Sequence, residues 1–162
     1  MQISTVSFKG CPSNYVRIDD FVSRSAQPDA EDFLWLKKQG VTDVFNFRTS
    51  MFESEINEKE IVENLGMKYH HIPSYTRYPC EKNIMEFLNR INIIKQNKGK
   101  AHIHCKAGAD RTGMYAFVYK MLNKLGSLEY NKMEFLFYGH HQKIYPELMQ
   151  WTEDFVKTLV KK

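Results

Sequence analysis

Short β-type segments alternate with helical segments through the middle of the chain, and few folds are compatible with this alternation. Residues 41–47 and 68–72 and the segment Ala101–His104 are rich in the β-branched, aromatic and alternating residues typical of strands. Between the last two, apolar residues recur at helical spacing, which predicts a helix over Glu81–Gln96. Neighbouring parallel strands need a crossover connection between them, and a helix usually provides it. The sequence therefore predicts an α/β fold, with a central, largely parallel sheet flanked by helices.

The flanking segments complete this predicted architecture. Two short strands and a helix precede the alternation, and the C-terminal half is entirely helical. The remaining predicted elements are strands at 15–18 and 21–25 and helices at 30–39, 53–65, 111–125, 127–138 and 146–160. A length of 162 residues suits one domain, and the eight Gly and five Pro form no linker, so residues 1–162 are predicted to be a single domain.

The composition is that of an ordinary globular protein, with 43% hydrophobic and 26% charged residues. No run of eighteen apolar residues occurs, so no membrane span is predicted. The formal net charge of +4 fits ordinary solubilising lysines as well as a preference for anionic ligands or anionic lipid surfaces, and there is no dense Lys/Arg run of the nucleic-acid-binding kind. Three cysteines form a poor disulfide framework, and no apolar leader is evident at the start, so a cytoplasmic location is expected.

The loop after the last predicted strand carries the candidate chemistry. Together with the strand end and the helix start it reads HCKAGADRTG from residue 104 to residue 113. Backbone N–H groups of such a loop and of the following helix converge on one concavity, which makes an anion site. The small residues Ala107, Gly108 and Ala109 allow the backbone to wrap a phosphate. Arg111 can bind two phosphate oxygens with its planar guanidinium.

Cys105 opens this loop and is the predicted nucleophile. Its position before a helix N-terminus favours the thiolate over the thiol. Attack on phosphorus would give a phosphocysteine that water then hydrolyses, with Arg111 and the loop amides stabilising charge on the phosphoryl oxygens. The hydroxyl of Thr112 would donate a hydrogen bond to the thiolate. This chemistry requires no metal and no cofactor.

The motif resembles that of a known superfamily. His-Cys, five further residues and then Arg-Thr-Gly is similar to the signature of the protein tyrosine and dual-specificity phosphatases. The segments RSAQP at 24–28 and VFNFR at 44–48 resemble the small bacterial and atypical dual-specificity type, so the resemblance extends over residues 15–125. It implies a cysteine-phosphatase fold with Cys105 as nucleophile and Arg111 as phosphate clamp.

Other functional classes share parts of this loop. Rhodanese-type sulfurtransferases also use a cysteine cradle, and a phosphate-binding module without turnover would keep the same loop, so both remain alternatives. A P-loop nucleotide hydrolase is excluded, because Gly113 is followed by Met114 where that motif has Lys and then Ser or Thr.

The proton donor for the leaving group is not evident. The family usually carries an Asp some thirty residues before the Cys, but residues 72–83 contain none. Asp110, inside the loop, matches an Asp of the myotubularin lipid phosphatases and is the predicted acid. A carboxylate that only hydrogen-bonds the loop is the alternative. Glu81 is the second candidate, although the first turn of a helix favours an acidic residue in any case.

The loop also bears on substrate class. Lys106 resembles the tensin-type lipid phosphatases and would meet a second phosphate on an inositol ring. The prediction is a protein tyrosine or dual-specificity phosphatase acting on phosphorylated protein, with a phosphoinositide or inositol-phosphate phosphatase as alternative. By analogy with some relatives, Cys80 could form a protective disulfide with Cys105, but the favoured interpretation is an unpaired loop cysteine.

The histidines are expected to have structural roles. His102 and His104 lie on one face of their strand, and His104 is expected to order the loop rather than bind a metal. The pairs at 70–71 and 140–141 are interpreted as surface or rim residues.

Overall fold

The computed structural model describes residues 10–49 and 57–161. These residues form five strands and six helices. The strands are β1 (Val16–Arg17), β2 (Val22–Ser25), β3 (Asp43–Asn46), β4 (Lys68–His71) and β5 (Ala101–His104). The helices are α1 (Ala30–Lys38), α2 (Glu58–Asn64), α3 (Glu81–Gln96), α4 (Arg111–Leu122), α5 (Leu128–Phe137) and α6 (Leu148–Val160).

The five strands form one sheet in the order β1-β2-β5-β3-β4. Strands β2, β5, β3 and β4 run parallel, and only β1 pairs antiparallel, with β2. The predicted largely parallel sheet is therefore confirmed. Strand β5 lies at its centre, and the chain that leaves β5 emerges at the edge where ligands bind in such sheets.

Alternate residues of the strands face two separate cores. Val44 packs with Phe33 of α1 and Val62 of α2 on one face of the sheet. Its neighbour Phe45 packs with Phe87 of α3 on the other, in a larger core that also includes α4 and α6. Since strand side chains alternate and both faces are covered, every residue of the central strands β2, β5 and β3 is buried, including polar ones such as His102 and His104.

The predicted elements are present with small shifts at their ends. Helix α4, predicted to reach residue 125, ends at Leu122, because Asn123 caps it and Lys124 adopts a left-handed φ of 56°. The helix predicted from residue 53 is described from Glu58, after the N-cap Asn57; residues 53–56 lie outside the described residues. The described helices include none that is both long and apolar enough to span a bilayer.

Candidate active site

The loop at 105–111, called here the phosphate loop, follows β5 directly and is held against the end of β2. Cys105 is 2% exposed. Gly108 has a φ of +71°, and a Cβ built on it would lie 2.5 Å from the backbone carbonyl carbon and oxygen of Ser25. Only glycine fits this position, because any side chain would both strain the backbone and collide with the strand.

Three successive carbonyls of the phosphate loop are hydrogen-bonded by groups outside it. Lys106 O accepts from Gln27 N at 3.0 Å, and Ala107 O accepts from the side-chain amide of Asn14 at 3.3 Å. Gly108 O accepts from the guanidinium of Arg24 at 2.7 Å. Within the described part of the chain, by contrast, no acceptor binds the N–H groups of residues 106–110. The loop therefore presents free donors to an anion, as a backbone nest does.

Arg24 is the buried cation that supports this arrangement. Its side chain lies over the Tyr138 ring, 4.8 Å from the ring centroid. Burial lowers the pKa of Arg24, and the nearby charge of Cys105 acts in the opposite direction. The sequence placed Arg24 in a family pattern but assigned it no role, because its partner Gly108 lies 84 residues away.

The amino-terminal end of α4 is open to a ligand. Arg111 is its first residue, and its guanidinium has neither a hydrogen bond nor an ion pair among the described residues. Thr112 is fully buried, and its hydroxyl likewise has no partner there. Asp110 occupies the N-cap position but its side chain makes no capping bond. An anion at this end of α4 would meet uncapped N–H groups and an unpaired guanidinium.

His104 supports the loop from below through a buried acidic partner. Its Nε2 lies 2.8 Å from Glu58 Oε2, and its Nδ1 lies 3.1 Å from the carbonyl oxygen of Cys105. A carboxylate and a carbonyl are both acceptors, so the ring donates to at least one of them. Gln27 donates to Glu58 at 2.6 Å and accepts from Arg48 at 3.0 Å, which extends the network beneath the loop.

His102 lies on the same face of β5, as its alternation with His104 predicts. Its two ring nitrogens lie 2.7 Å from the hydroxyls of Ser23 and Ser25. Complete burial lowers the pKa of His102 well below the usual value, so this ring is neutral. Among the described residues, no group of three or more His, Cys, Asp and Glu side chains is arranged to hold a metal ion.

Asp110 is hydrogen-bonded on both carboxylate oxygens by residues 138–147, which join α5 to α6 and are called here the α5–α6 segment. Oδ1 lies 2.8 Å from both His140 Nδ1 and the backbone nitrogen of His141, and Oδ2 lies 2.7 Å from His141 Nδ1. Burial acts to raise the pKa of Asp110, but the hydrogen bonds from the two histidines outweigh it and lower the pKa below the usual range. The carboxylate is therefore ionised. Sequence reasoning interpreted these histidines as surface or rim residues, which is wrong for His140, because its side chain is buried.

The other sequence candidates lie around the phosphate loop with fewer contacts. Lys106 is exposed and has no hydrogen bond or ion pair among the described residues. Glu81 is exposed in the first turn of α3, and Cys80 is an exposed free thiol at its N-cap. The loop at 73–80 contacts the α5–α6 segment through Arg77, whose guanidinium lies 5.1 Å from the centroid of the Tyr145 ring.

Comparison with known families and structures gives one family match and several similar folds. A family model described as a DSP-PTPase phosphatase of polymorphic toxin systems matches residues 21–123. No curated protein matches the sequence.

Three solved structures illustrate the similarity of fold. A putative phosphatase from Shewanella putrefaciens CN-32 has 22% identity and a TM-score of 0.73, over 89% of each chain. P. aeruginosa TpbA has 16% identity and a TM-score of 0.73, over 91% of each chain. The core catalytic domain of the PP-IP phosphatase SIW14 from S. cerevisiae has 18% identity and a TM-score of 0.74, over 93% of this chain and 92% of that one.

Proposed function

Because the chain belongs to the DSP-PTPase phosphatases of polymorphic toxin systems, within the protein tyrosine and dual-specificity phosphatase superfamily, we propose that it hydrolyses phosphomonoesters through a phosphocysteine on Cys105. The observation that carries this proposal is the phosphate loop, whose carbonyls are bonded outward and whose N–H groups at 106–110 are left without acceptors. A phosphate dianion would satisfy these donors.

Each loop residue has a role in this mechanism. The Cys105 thiolate attacks phosphorus, while the unpaired Arg111 guanidinium and the loop amides bind the equatorial oxygens, where charge is spread in the transition state. Lys106, Ala107, Gly108 and Ala109 supply the amides. In the second step water displaces the thiolate, and the buried Thr112 hydroxyl stabilises the departing sulfur by donating a hydrogen bond. Asp110 acts beside Arg111, and its part in proton transfer is taken up below.

Phosphorylated protein is the substrate class that we place first. TpbA, which shares this fold, has been crystallised with pTyr. A phosphoinositide or inositol phosphate is the second candidate, because the exposed, unpaired Lys106 adjoins the nucleophile and would meet a second phosphate. SIW14, also of this fold, is described as a PP-IP phosphatase. Peripheral contact with anionic membranes and a cytoplasmic location remain predictions.

Phosphate release from a substrate panel tests the proposal. The panel contains a phosphotyrosine peptide, a phosphoserine peptide, phosphoinositides and soluble inositol phosphates, all with a chelator present. We expect Cys105→Ser to abolish release while inorganic phosphate still binds. The exposed thiol variant Cys80→Ser is the matched control and is expected to retain activity. Near-normal turnover by Cys105→Ser would refute the mechanism, and no release from any substrate would favour a phosphate-binding module.

A further inference from the structure

The α5–α6 segment lies against the phosphate loop over several residues. A Cβ on Gly139 would lie 3.5 Å from the Cβ of Ala109. The side-chain amide of Asn14 donates both to Ala107 O and to Tyr138 O, at 3.3 and 3.0 Å. The Asp110 carboxylate accepts hydrogen bonds from the next two residues of the segment, His140 and His141. The segment therefore forms one wall beside the site where phosphate would bind.

The two histidines on this carboxylate differ in what they can do. The His140 side chain is 0% exposed, and its Nε2 is buried without a hydrogen-bond partner. Nδ1 of His140 faces a carboxylate, which only accepts hydrogen bonds, so Nδ1 donates to Asp110, while the buried Nε2 has no group with which to exchange a proton. His140 thus positions the carboxylate but does not exchange protons with the site.

His141 is the exchangeable member of the cluster. Its side chain is 49% exposed, its Nδ1 is bonded to Asp110 Oδ2, and its Nε2 has no partner among the described residues. A carboxylate behind one ring nitrogen stabilises the imidazolium and fixes its orientation. Asp110 itself accepts three hydrogen bonds and is ionised, so it holds no proton to give to a leaving group.

We propose that His141 is the proton donor to the leaving group, with Asp110 as its positioning residue. The proposal rests on the phosphocysteine mechanism above. It assigns the missing acid to the α5–α6 segment instead of the loop at 73–80, where the family usually carries it. The cation–π contact of Arg77 with Tyr145 shows that these two segments are adjacent, so the proposed donor lies on the segment next to the usual one.

The proton and electron pairs balance over two steps. Attack by the Cys105 thiolate forms the S–P bond and breaks the P–O bond, whose electron pair goes to the leaving oxygen. That oxygen takes the proton from Nε2 of the His141 imidazolium. Water then forms a new P–O bond, the S–P pair returns to sulfur, and the neutral Nε2 of His141 takes the proton released by water. The imidazolium is regenerated.

Leaving-group dependence tests this assignment. We expect His141→Gln to reduce kcat/KM by about 100-fold or more for phenyl phosphate, whose leaving group needs a proton, and by less than about 10-fold for p-nitrophenyl phosphate, whose leaving group does not. The basic limb of the kcat/KM pH profile should also disappear. The titratable group bonded to the His141 ring is the Asp110 carboxylate on the phosphate loop, which also binds His140 of the same segment.

A second histidine–carboxylate pair supplies the control. His70 lies 2.8 Å from Asp43 at the opposite end of the sheet, and His70→Gln should leave both rates unchanged. Asp110→Asn should again lose more kcat/KM with phenyl phosphate than with p-nitrophenyl phosphate. The double variant of Asp110→Asn and His141→Gln should lose little more than either single variant, because the two residues act as a unit.

Phosphoenzyme trapping separates the two proposals. The His141→Gln variant should still release one equivalent of nitrophenolate in a burst, and its phosphocysteine should accumulate. Equal slowing of both substrates with the burst intact would overturn the role of His141. If the basic limb of the kcat/KM pH profile only shifts in His141→Gln, the proton comes from Asp110, and the role of His141 is overturned as well. Absence of any phosphoenzyme in the unchanged chain would overturn the proposed function, and this inference with it.

Discussion

At the scale of single residues, the phosphate loop depends on two positions outside its reacting atoms. Arg24 binds the carbonyl of Gly108 and prevents it from turning toward an anion. Gly108 in turn allows the loop to lie directly on the backbone of Ser25. Arg24 would not touch substrate and Gly108 would touch it only through its backbone amide, yet both decide which polar groups of the loop face it.

Gly108→Ala is expected to distort the loop. Gly40→Ala is the matched control, because Gly40 also has a positive φ, +92°, but a Cβ there meets only the flexible Lys100 side chain, at 3.7 Å. The control should lose about 1–2 kcal/mol of unfolding free energy through backbone strain alone and keep full activity. Gly108→Ala should lose more stability than that, and turnover as well. Urea unfolding measures the stability and kcat/KM the turnover of each variant. Equal losses of stability in the two variants would contradict a collision between the added methyl group and the backbone of Ser25.

At the scale of elements, the site is fixed by contacts between pieces that are distant in sequence. Helix α2 brings Glu58 beneath β5, where it binds His104. The α5–α6 segment brings two histidines to Asp110. The sheet places β5 between β2 and β3, so supports reach the loop from both sides. The phosphate loop is thus held by elements that share no local sequence pattern with it.

Glu58→Gln tests the link between α2 and β5. The Glu58 and His104 side chains are 3% and 0% exposed, and Glu58 offers one carboxylate oxygen to Gln27 and the other to His104. A Gln has only one acceptor oxygen, so one of these buried contacts is lost. We expect a loss of about 1–3 kcal/mol in unfolding free energy, and reduced kcat/KM because the loop is less well supported. Glu63→Gln, on the exposed side of the same helix, should change stability by less than about 0.5 kcal/mol. A similar small change in both variants would show that the pair is dispensable.

At the scale of the whole molecule, burial of polar groups couples stability to pH. His102 is neutral in the folded chain, whereas in the unfolded chain its pKa has the ordinary value of 6.5. The carboxyls of Asp43 and Asp110 have pKa values lowered by histidine partners, although burial opposes this. All three groups bind protons more readily when the chain unfolds, so acid destabilises the fold.

We therefore expect unfolding free energy to fall in two ranges as pH decreases. The first decrease begins near pH 6.5, where unfolded His102 takes up a proton that the folded ring refuses, and the second begins near pH 4, the usual range of the Asp carboxyls. His102→Asn should flatten the first range and leave the second. Chemical unfolding at a series of pH values measures both. An unchanged slope below pH 6.5 in that variant would contradict the assignment.

The sequence by itself determined the local features of this protein. Periodicity of two and of about 3.6 residues located the strands and helices, because burial of one face repeats with the geometry of each element. The motif from His104 to Gly113 indicated the phosphate loop, since nucleophile, small residues and clamp are all contiguous there. The alternation of strands and helices also predicted the parallel sheet, because helices provide the crossover connections that parallel strands need.

Only the tertiary structure decided which side chains meet at the loop. Arg24 lies 84 residues from Gly108, Glu58 lies 46 from His104, and His140 lies 30 from Asp110. No period or spacing encodes such pairs, because strand order and helix packing alone bring them within hydrogen-bonding distance. For the same reason the sequence located a carboxylate at Asp110 but not the histidine that it positions.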